Sequence, residues 1–552
     1  MSPRKPNPAG PAERASQLRT LRSTCARVAA PTRLIVLIAA AVLPLAIHVP
    51  QAAAQDRLEG PVDATALRQP SPYLAHTHWA ARALARLNAA GLGLPGYDAG
   101  RRTPRLVEVA VTFERAATEA ADPALQAHAA AWLRLLQDEF GRTPLTQPAA
   151  SADGAYAPFG TLSLAATASH AEGGVGTGTG YDEAPIEWSG TVPFDDDTWV
   201  GAGIRAHGAL ARFIGFDAEA GTQSDDIAVT TAYGSIAAGP LVLWGGRRTL
   251  GFGAPVSGAI TIADGHSFDG GGIHLAGPIM LPWIFRYLGP FDAEAFLTRA
   301  QNGDGIGVTD PWLGAMRISI APHQRLSMGA TRAVMFGGDN AAPATASRIW
   351  QMLLGNPSVN GTGEWSNEVF GWNVTWRPPL GSVPLEVFFE HGFDDASGAY
   401  WRAPAIIVGA FVPFLPGLPA LGLGAEYVYF SSASYKNPIW YRNYALSGGW
   451  THERRPLGHP IAGHGQGAYG HASLDLLDAR LRLRAATWLF DRGDENLLAP
   501  EREGLAAGTQ IDAAWRIMDR LEMSAGAAHE DGAGWQETTA RLQFRYTFDV
   551  LR

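Results

Sequence analysis

The chain of 552 residues is acidic and rich in glycine. It carries 52 acidic and 43 basic residues, a formal net charge of −9. This balance argues against nucleic-acid binding, because proteins with that function concentrate positive charge. The 64 glycines exceed the usual share of about 7%, and the charged residues, at 17%, fall below the usual ~25%. Both values favour a β-rich protein.

The first 54 residues predict a cleaved export signal. Basic residues precede an apolar run from Leu34 to Ile47, which is shorter than the roughly 20 residues of a membrane-spanning helix. Alanines at positions 52–54 then predict cleavage before Gln55. The single cysteine, Cys25, lies within this segment, so the mature chain is expected to contain neither disulfides nor thiolate metal sites.

Residues 55–141 predict a small helical bundle. Apolar residues recur every four positions from Trp79, as expected of an amphipathic helix. The pairs Thr103-Pro104 and Asp122-Pro123 predict the N-cap and first residue of two further helices, because short polar side chains cap a helix and proline fits its first turn. Residues 142–157, rich in proline, alanine and serine, predict a linker.

From residue 158 to 552 the apolar period is two. Between Arg541 and Phe548 apolar and polar side chains alternate without exception, which predicts a strand with one apolar and one polar face. Roughly 395 residues accommodate about 16 to 18 spanning strands with their loops. We therefore predict a transmembrane antiparallel β-barrel, with strands that include residues 161–169, 201–213, 236–244, 291–300, 385–391, 421–430 and 480–490.

Aromatic residues near the predicted strand ends leave two interpretations open. A membrane barrel carries interfacial aromatic girdles, whereas a large β-sandwich would bury the same residues in its core. The set comprises Trp199, Trp244, Trp283, Trp312, Tyr427, Tyr429, Trp440, Trp450 and Trp488. Between Pro278 and Pro290 the chain is apolar and interrupted by proline, which predicts a loop outside the cell, a loop inside the lumen or an irregular part of the wall.

Two segments contain candidate ligand-binding residues. In the first, Trp244, Arg247 and Arg248 lie among glycines, and predict either a clamp for a sugar acid beside a stacking ring or a tight turn with exposed arginines. The second is a long loop whose Arg454, Arg455 and His459 are expected to bind glycan hydroxyls or carboxylates, with Tyr441, Tyr444 and Trp450 as nearby stacking faces.

A metal site and an enzyme are both less favoured. The spacing of His459, His464 and His471 fits no strong metal-ligand pattern. No nucleophile motif of the G-x-S-x-G type occurs in the sequence. We therefore predict a protein without a metal or cofactor that is not an enzyme.

Several short motifs resemble those of the Wzi family of capsule assembly proteins. They are His78-Trp79-Ala80, the stretch from Trp244 to Arg248, Asn367 to Pro378 ahead of a strand with Glu386, and Arg454-Arg-Pro-Leu-Gly-His459. The chain departs from the usual barrel ending, because Asp549 to Arg552 follow Phe548 where a terminal aromatic residue is typical.

The resemblance implies an outer-membrane barrel of about 18 strands with a periplasmic helical bundle before it. It also implies a lumen obstructed by loops and a lectin-like function, in which the protein binds capsular polysaccharide or exopolysaccharide and helps its surface attachment or assembly. The expected partners are that polysaccharide and outer-membrane lipids, not nucleic acid. The acidic net charge requires local arginines to recognise any acidic sugar.

A second resemblance supports an alternative. The helix with Trp79-Ala80, followed by Thr103-Pro-Arg105, is similar to S-layer-homology modules. The alternative function is therefore an outer-membrane porin tethered to the envelope by its helical module, with a lumen lined by polar side chains such as Arg480, Arg482 and Arg484.

Overall fold

The computed structural model describes most of residues 67–551. The gaps are 69–70, 76, 95, 97–99, 101–102, 141–158, 174–197, 212–213, 224–225, 302–307, 342–344, 346, 348–364, 382, 395–402, 432–439, 444–445, 447, 454 and 499–501. The predicted signal 1–54, the linker 142–157, Tyr444 and Arg454 lie outside the described residues.

In the described part of the chain, three α-helices precede the sheet: α1 (Trp79–Ala89), α2 (Leu106–Glu119) and α3 (Pro123–Phe140). The α3 start at Pro123 agrees with the prediction, and Asp122 accepts a hydrogen bond from the Ala124 amide at 2.9 Å. The predicted α2 start at Pro104 is wrong by two residues. Arg105 is extended there because it forms a β-bridge with Tyr73. Among the described residues, no helix is long and apolar enough to span a membrane.

The sheet dominates the structure, and its strands are numbered in chain order. They are β1 (Phe159–Glu172), β2 (Thr198–Ala211), β3 (Ile214–Gln223), β4 (Asp226–Ala238), β5 (Leu241–Phe252), β6 (Ile262–Leu275), β7 (Ile279–Met280), β8 (Pro290–Arg299), β9 (Trp312–His323), β10 (Leu326–Phe336), β11 (Ser366–Trp376), β12 (Glu386–Asp394), β13 (Ala405–Val412), β14 (Leu421–Phe430), β15 (Thr451–His452), β16 (Arg455–Pro456), β17 (Gly465–Leu476), β18 (Leu481–Arg492), β19 (Gly504–Met518), β20 (Leu521–Asp531) and β21 (Gln536–Leu551). A 3₁₀ helix, η1 (Trp283–Leu288), lies between β7 and β8.

The sheet closes into a barrel of 18 antiparallel strands. The two-residue β7 pairs only with the start of β8, and β15 and β16 pair only with each other, so these three strands do not belong to the ring of 18. Strand β21 pairs with β1 from Thr538 to Leu551, with Thr161 opposite Asp549. The last strand therefore closes the barrel against the first, as the predicted β-barrel requires. The strand continues past Phe548, and Asp549 forms an ion pair with Arg520 at 2.7 Å.

Side chains alternate across the barrel wall, as the sequence predicts. On β21 the outward side chains of Leu542, Phe544, Tyr546 and Phe548 are exposed, whereas Thr547 points inward and is buried. A closed ring with an exposed apolar exterior excludes the β-sandwich interpretation.

Two sequence-based assignments within the wall are wrong. Residues 236–244 are not one strand, because Gly239, at φ +61°, makes the turn between β4 and β5. Apolar side chains on both sides of that turn concealed it. Nor are all the aromatic residues interfacial. Although Trp312 and Tyr427 are exposed, a buried core inside the barrel contains Trp244, Trp440, Trp450 and Trp488.

The two ends of the barrel differ in their connections. At one end, here called the short-turn end, tight turns join β4 to β5, β9 to β10, β17 to β18 and β19 to β20. At the other, here called the long-loop end, the connection from β14 to β17 spans residues 431–464. Residues 276–289, between β6 and β8, belong to the short-turn end. Their η1 helix lies beside β9 near Ala321 and none of its residues is buried, so this segment is neither packed in the lumen nor part of the long-loop end.

Candidate functional site

Helix α1 docks inside the short-turn end through Arg86. This buried guanidinium forms an ion pair with Asp475 at 2.7 Å and donates to the carbonyls of Pro413 and Pro419 at 3.1 and 2.9 Å. The ring of Trp132 lies 5.3 Å from it. Burial lowers the pKa of Arg86 from its usual value, against the attraction of Asp475. These contacts bind the helix to the turn between β13 and β14 and to strand β17 of the wall.

Helix α3 is held at the same end by Glu139. Its carboxylate binds Arg516 of β19 at 3.1 Å, His78 at 3.0 Å and the indole N–H of Trp79 at 2.8 Å. Burial alone would raise the pKa of Glu139, but His78 and Arg516 outweigh it, and the pKa lies well below its usual value. A charged carboxylate therefore joins α1, α3 and the wall.

Arg248 supports the middle of the lumen. It is buried, donates to the Thr103 hydroxyl at 2.8 Å and lies 3.5 Å from Glu294. Its guanidinium carbon is 3.4 Å from the ring centre of Tyr73 and 4.9 Å from that of Trp244. Through Arg248, strand β5 thus holds the segment before α2 by a cation–π contact with Tyr73 and a hydrogen bond to Thr103.

The loop from Trp440 to Gly463, here called the loop plug, fills the lumen at the long-loop end. The Tyr441 hydroxyl donates to the Ile260 carbonyl at 2.6 Å, and the Trp450 indole donates to the Thr261 carbonyl at 2.8 Å. The described aromatic side chains of this loop pack into the main buried core. The loop plug is therefore part of the barrel core and not a free surface loop.

His459 is buried at the base of the loop plug. Its Nδ1 accepts from the Ile461 amide at 3.0 Å, so Nε2 carries the proton and donates to Ser257 Oγ at 3.0 Å. Ser257 in turn donates to Glu426. Burial, with a smaller contribution from Arg492, lowers the pKa of His459 to about 3. In a hydrolase triad the histidine would bridge serine and carboxylate, whereas here the serine is in the middle.

A cavity of roughly 380 Å³ remains between α1 and the wall. Its lining mixes basic and acidic side chains, with Arg205, Arg482, Arg484, Arg541, Arg545, Glu219, Glu386, Glu426, Asp512 and Glu522 among them. The arginines that the porin alternative assigned to a transport lumen, apart from Arg480, therefore face a space bounded by a docked helix. Arg482, for example, forms an ion pair with Glu522 at 2.7 Å.

Arg247 lies on the opposite face of β5 from Arg248. It shares the outward face with Leu241 and Leu243, which are exposed. Its guanidinium binds Asp269 of β6 at 2.8 Å and Glu453 of the loop plug at 2.5 Å. Arg455 lies 3.6 Å from the same Glu453. These four partly exposed side chains are called the Arg247 cluster.

The predicted binding residues consequently do not form a single surface. Trp244, Arg248 and His459 are buried in the lumen, Arg247 and Arg455 lie in the Arg247 cluster, and Arg454 is outside the described residues. Asp269 and Glu453 were missed. Their positions follow from strand register and from the path of the loop plug, neither of which has a local sequence signal.

The family model described as capsule assembly protein Wzi matches residues 123–539. The chain belongs to the Wzi family. This agrees with the family resemblance seen in the sequence. The same membership supports the outer membrane as its location, and the family is described by capsule assembly and not by an enzymatic activity.

A solved structure shows the same fold, and others are similar to a smaller extent. That structure is Wzi of Escherichia coli, described as an outer-membrane, carbohydrate-binding β-barrel involved in group 1 capsule assembly; it matches with a TM-score of 0.66 and 14% identity over 87% of this chain and all of that one. Two structures from Pseudomonas aeruginosa are less similar. OprD has a TM-score of 0.43 at 13% identity, and OccK11 (OpdR) 0.45 at 8%. They cover 72% and 71% of this chain, and it covers 96% of each. No curated protein sequence matches this chain.

Proposed function

We propose that this protein binds capsular polysaccharide or exopolysaccharide at the outer membrane and helps its surface attachment or assembly. The observation that carries the proposal is membership of the Wzi family over residues 123–539, together with the fold of a carbohydrate-binding relative. Because short turns of outer-membrane barrels face the periplasm, the long-loop end is the outer end and the helices are periplasmic.

The elements docked inside the lumen support binding at the surface over transport. Helix α1 and the loop plug enter the barrel from opposite ends, and buried ion pairs and aromatic rings hold them there. A porin needs a continuous aqueous channel. A polysaccharide-binding barrel needs only an accessible surface with suitable donors and acceptors.

The Arg247 cluster is the proposed contact surface. It places two guanidinium groups and two carboxylates in reach of solvent, so it can donate to and accept from sugar hydroxyls. Arg454, next to Arg455 in the chain, is proposed as a further contact. Trp244, Arg248 and His459 are buried, so they do not contact the polysaccharide directly. They support the wall and the loop plug behind this surface.

Binding of purified protein to the polysaccharide of its own host, measured by calorimetry, tests the site. Hydrogen bonds to charged groups contribute about 1.5–3 kcal/mol, so the double variant Arg247→Ala/Arg455→Ala is expected to bind at least about tenfold more weakly. Arg480→Ala is the matched control, since Arg480 is an exposed arginine paired with Asp519 at the opposite end.

The outcomes separate the site from the function. Wild-type affinity in the double variant would rule out the Arg247 cluster as the binding site, but it would not contradict the proposed function. The function itself fails if the wild-type protein binds no host polysaccharide and deletion of the gene leaves the amount of cell-attached capsule unchanged.

A further inference from the structure

The η1 helix exposes an apolar surface at the short-turn end of the barrel. Trp283 is 85% exposed, Ile284 72%, Tyr287 69% and Phe285 53%. No residue of η1 is buried. A contiguous group of large apolar side chains in contact with water is unfavourable, and such groups mark surfaces that bind a partner or a membrane.

The backbone holds these side chains in a fixed position against β9. Trp283 has φ +58°, which is unusual for a bulky residue. Gly289, which ends the helix at φ +74°, approaches the wall so closely that a Cβ there would lie 2.0 Å from the Ala321 carbonyl oxygen. The aromatic side chains therefore extend outward from a rigid attachment point.

The attachment point lies at the border of the apolar exterior. Just above it on β9, Ile318 points outward and is exposed. At the lower end of β9, His323 pairs with Leu326, which pairs with the exposed Trp376 of β11. Tryptophan at strand ends is typical of the membrane–water interface. The η1 helix thus continues the lipid-facing surface of the barrel at its short-turn end.

One basic side chain accompanies the apolar group. Arg286 is exposed, donates to the Tyr287 hydroxyl at 2.9 Å and lies 4.9 Å from its ring centre. A guanidinium beside amphipathic aromatic rings matches the boundary between phosphate headgroups and acyl chains.

We propose that η1 is a membrane anchor, with Trp283, Ile284, Phe285 and Tyr287 inserted between phospholipids and Arg286 at their phosphates. The leaflet is the one beside the short-turn end, which in an outer membrane consists of phospholipid. Interfacial insertion fixes the depth of the barrel on this side. A second protein copy or another protein is the competing occupant.

Spin-label accessibility in phosphatidylethanolamine and phosphatidylglycerol vesicles tests the anchor. Cys25 is the only cysteine, so Cys25→Ser provides a background for single cysteines. The test position is Phe285→Cys. Ile318→Cys, on the outward face of β9, is the lipid control, and Asp519→Cys, in an exposed turn at the same end, is the aqueous control. Each labelled variant is first shown to migrate as a folded, heat-modifiable barrel.

The expected result is a gain in collisions with oxygen and a loss of collisions with a water-soluble nickel chelate at position 285, relative to position 519. The values should approach those at position 318. Nickel accessibility equal to that of position 519 would place η1 in water and overturn the proposal. Protection from both reagents would indicate a protein partner and would overturn it equally.

Discussion

The two ends of the barrel are closed by different chemistry. At the short-turn end, α1 and α3 are held by buried arginine–carboxylate pairs, Arg86 with Asp475 and Arg516 with Glu139. At the long-loop end, aromatic packing and hydrogen bonds to backbone carbonyls hold the buried part of the loop plug, as at Tyr441, whereas its ion pair between Glu453 and Arg247 is partly exposed. The docking of the helices therefore depends on buried charge pairs, and the docking of the loop plug depends mainly on the packing of buried side chains.

The difference follows from how each element is connected. The loop plug is joined to β14 and β17 at both ends, so its position is already restricted, and packing can complete the closure. Helix α1 precedes its wall partners by more than 300 positions in the chain. Directional charge pairs define where such an element docks. Buried ion pairs contribute specificity in this way at a cost in desolvation.

The largest expected effect comes from removing the charge of Arg86, which holds α1 in the short-turn end. The docking of α1 and α3 at this end is called the helical closure. Arg86→Ala leaves Asp475 buried with only His128 and Trp132 as described side-chain partners. Breaking a buried pair in this way costs about 3–5 kcal/mol. Hydrogen exchange in α1 should accelerate, and planar bilayers should show ion conductance that the wild-type barrel lacks. Unchanged exchange and a silent bilayer would contradict the assignment of Arg86 as the main docking contact.

The pH dependence of the loop plug is the second prediction. Because burial lowers the pKa of His459 to about 3, against about 6.5 in an unfolded chain, its neutral form stabilises the plug fully above pH 6.5. That stability is lost progressively as pH falls from 6.5 towards 3. The protection factors of peptides containing Tyr441 and Leu457, which compare exchange with its intrinsic rate at each pH, should therefore decrease between pH 7 and pH 5.

The helical closure provides the comparison within the same experiment. The pKa of Glu139 lies well below its usual value near 4.5, so the stability from this carboxylate persists down to pH 4.5 and is lost only at lower pH. The protection factors of the amides in α1 and α3 are expected to stay constant over the pH interval in which the loop plug loosens. In His459→Asn the loop plug should lose its own pH dependence. Parallel loosening of both ends would refute the distinction.

A smaller effect is expected from one hydroxyl of the loop plug. Tyr441→Phe removes the donor to the Ile260 carbonyl and the acceptor of the His459 amide, which leaves two buried backbone groups without this partner. The cost is about 1–3 kcal/mol in the stability of the plug. Tyr427→Phe is the control, because that hydroxyl is exposed and bonds Gln466 at the outer surface. Equal hydrogen exchange in the two variants would contradict the prediction.

Sequence patterns predicted the barrel but not how the candidate site residues are arranged within it, for one physical reason. Alternation from Arg541 to Phe548 is local, so the strand and its faces follow directly. A contact such as Glu426 with Ser257 depends on the path of the whole chain. The pair Arg247-Arg248 shows the consequence. In a turn both side chains would share a surface, whereas in a strand they point to opposite faces, one outward and one into the lumen.

The smallest effect is expected from an exposed ion pair near the helical closure. Arg480 binds Asp519 at 2.7 Å, the same distance that separates Arg86 from Asp475. Unlike that buried pair, both Arg480 and Asp519 are exposed. Water stabilises each charge after the pair is broken, so Arg480→Ala is expected to cost at most about 1 kcal/mol. Bilayer conductance and exchange in α1 should match the wild type. Conductance equal to that of Arg86→Ala would show that any lost arginine at this end opens the barrel, and burial would then not be what distinguishes the two ion pairs.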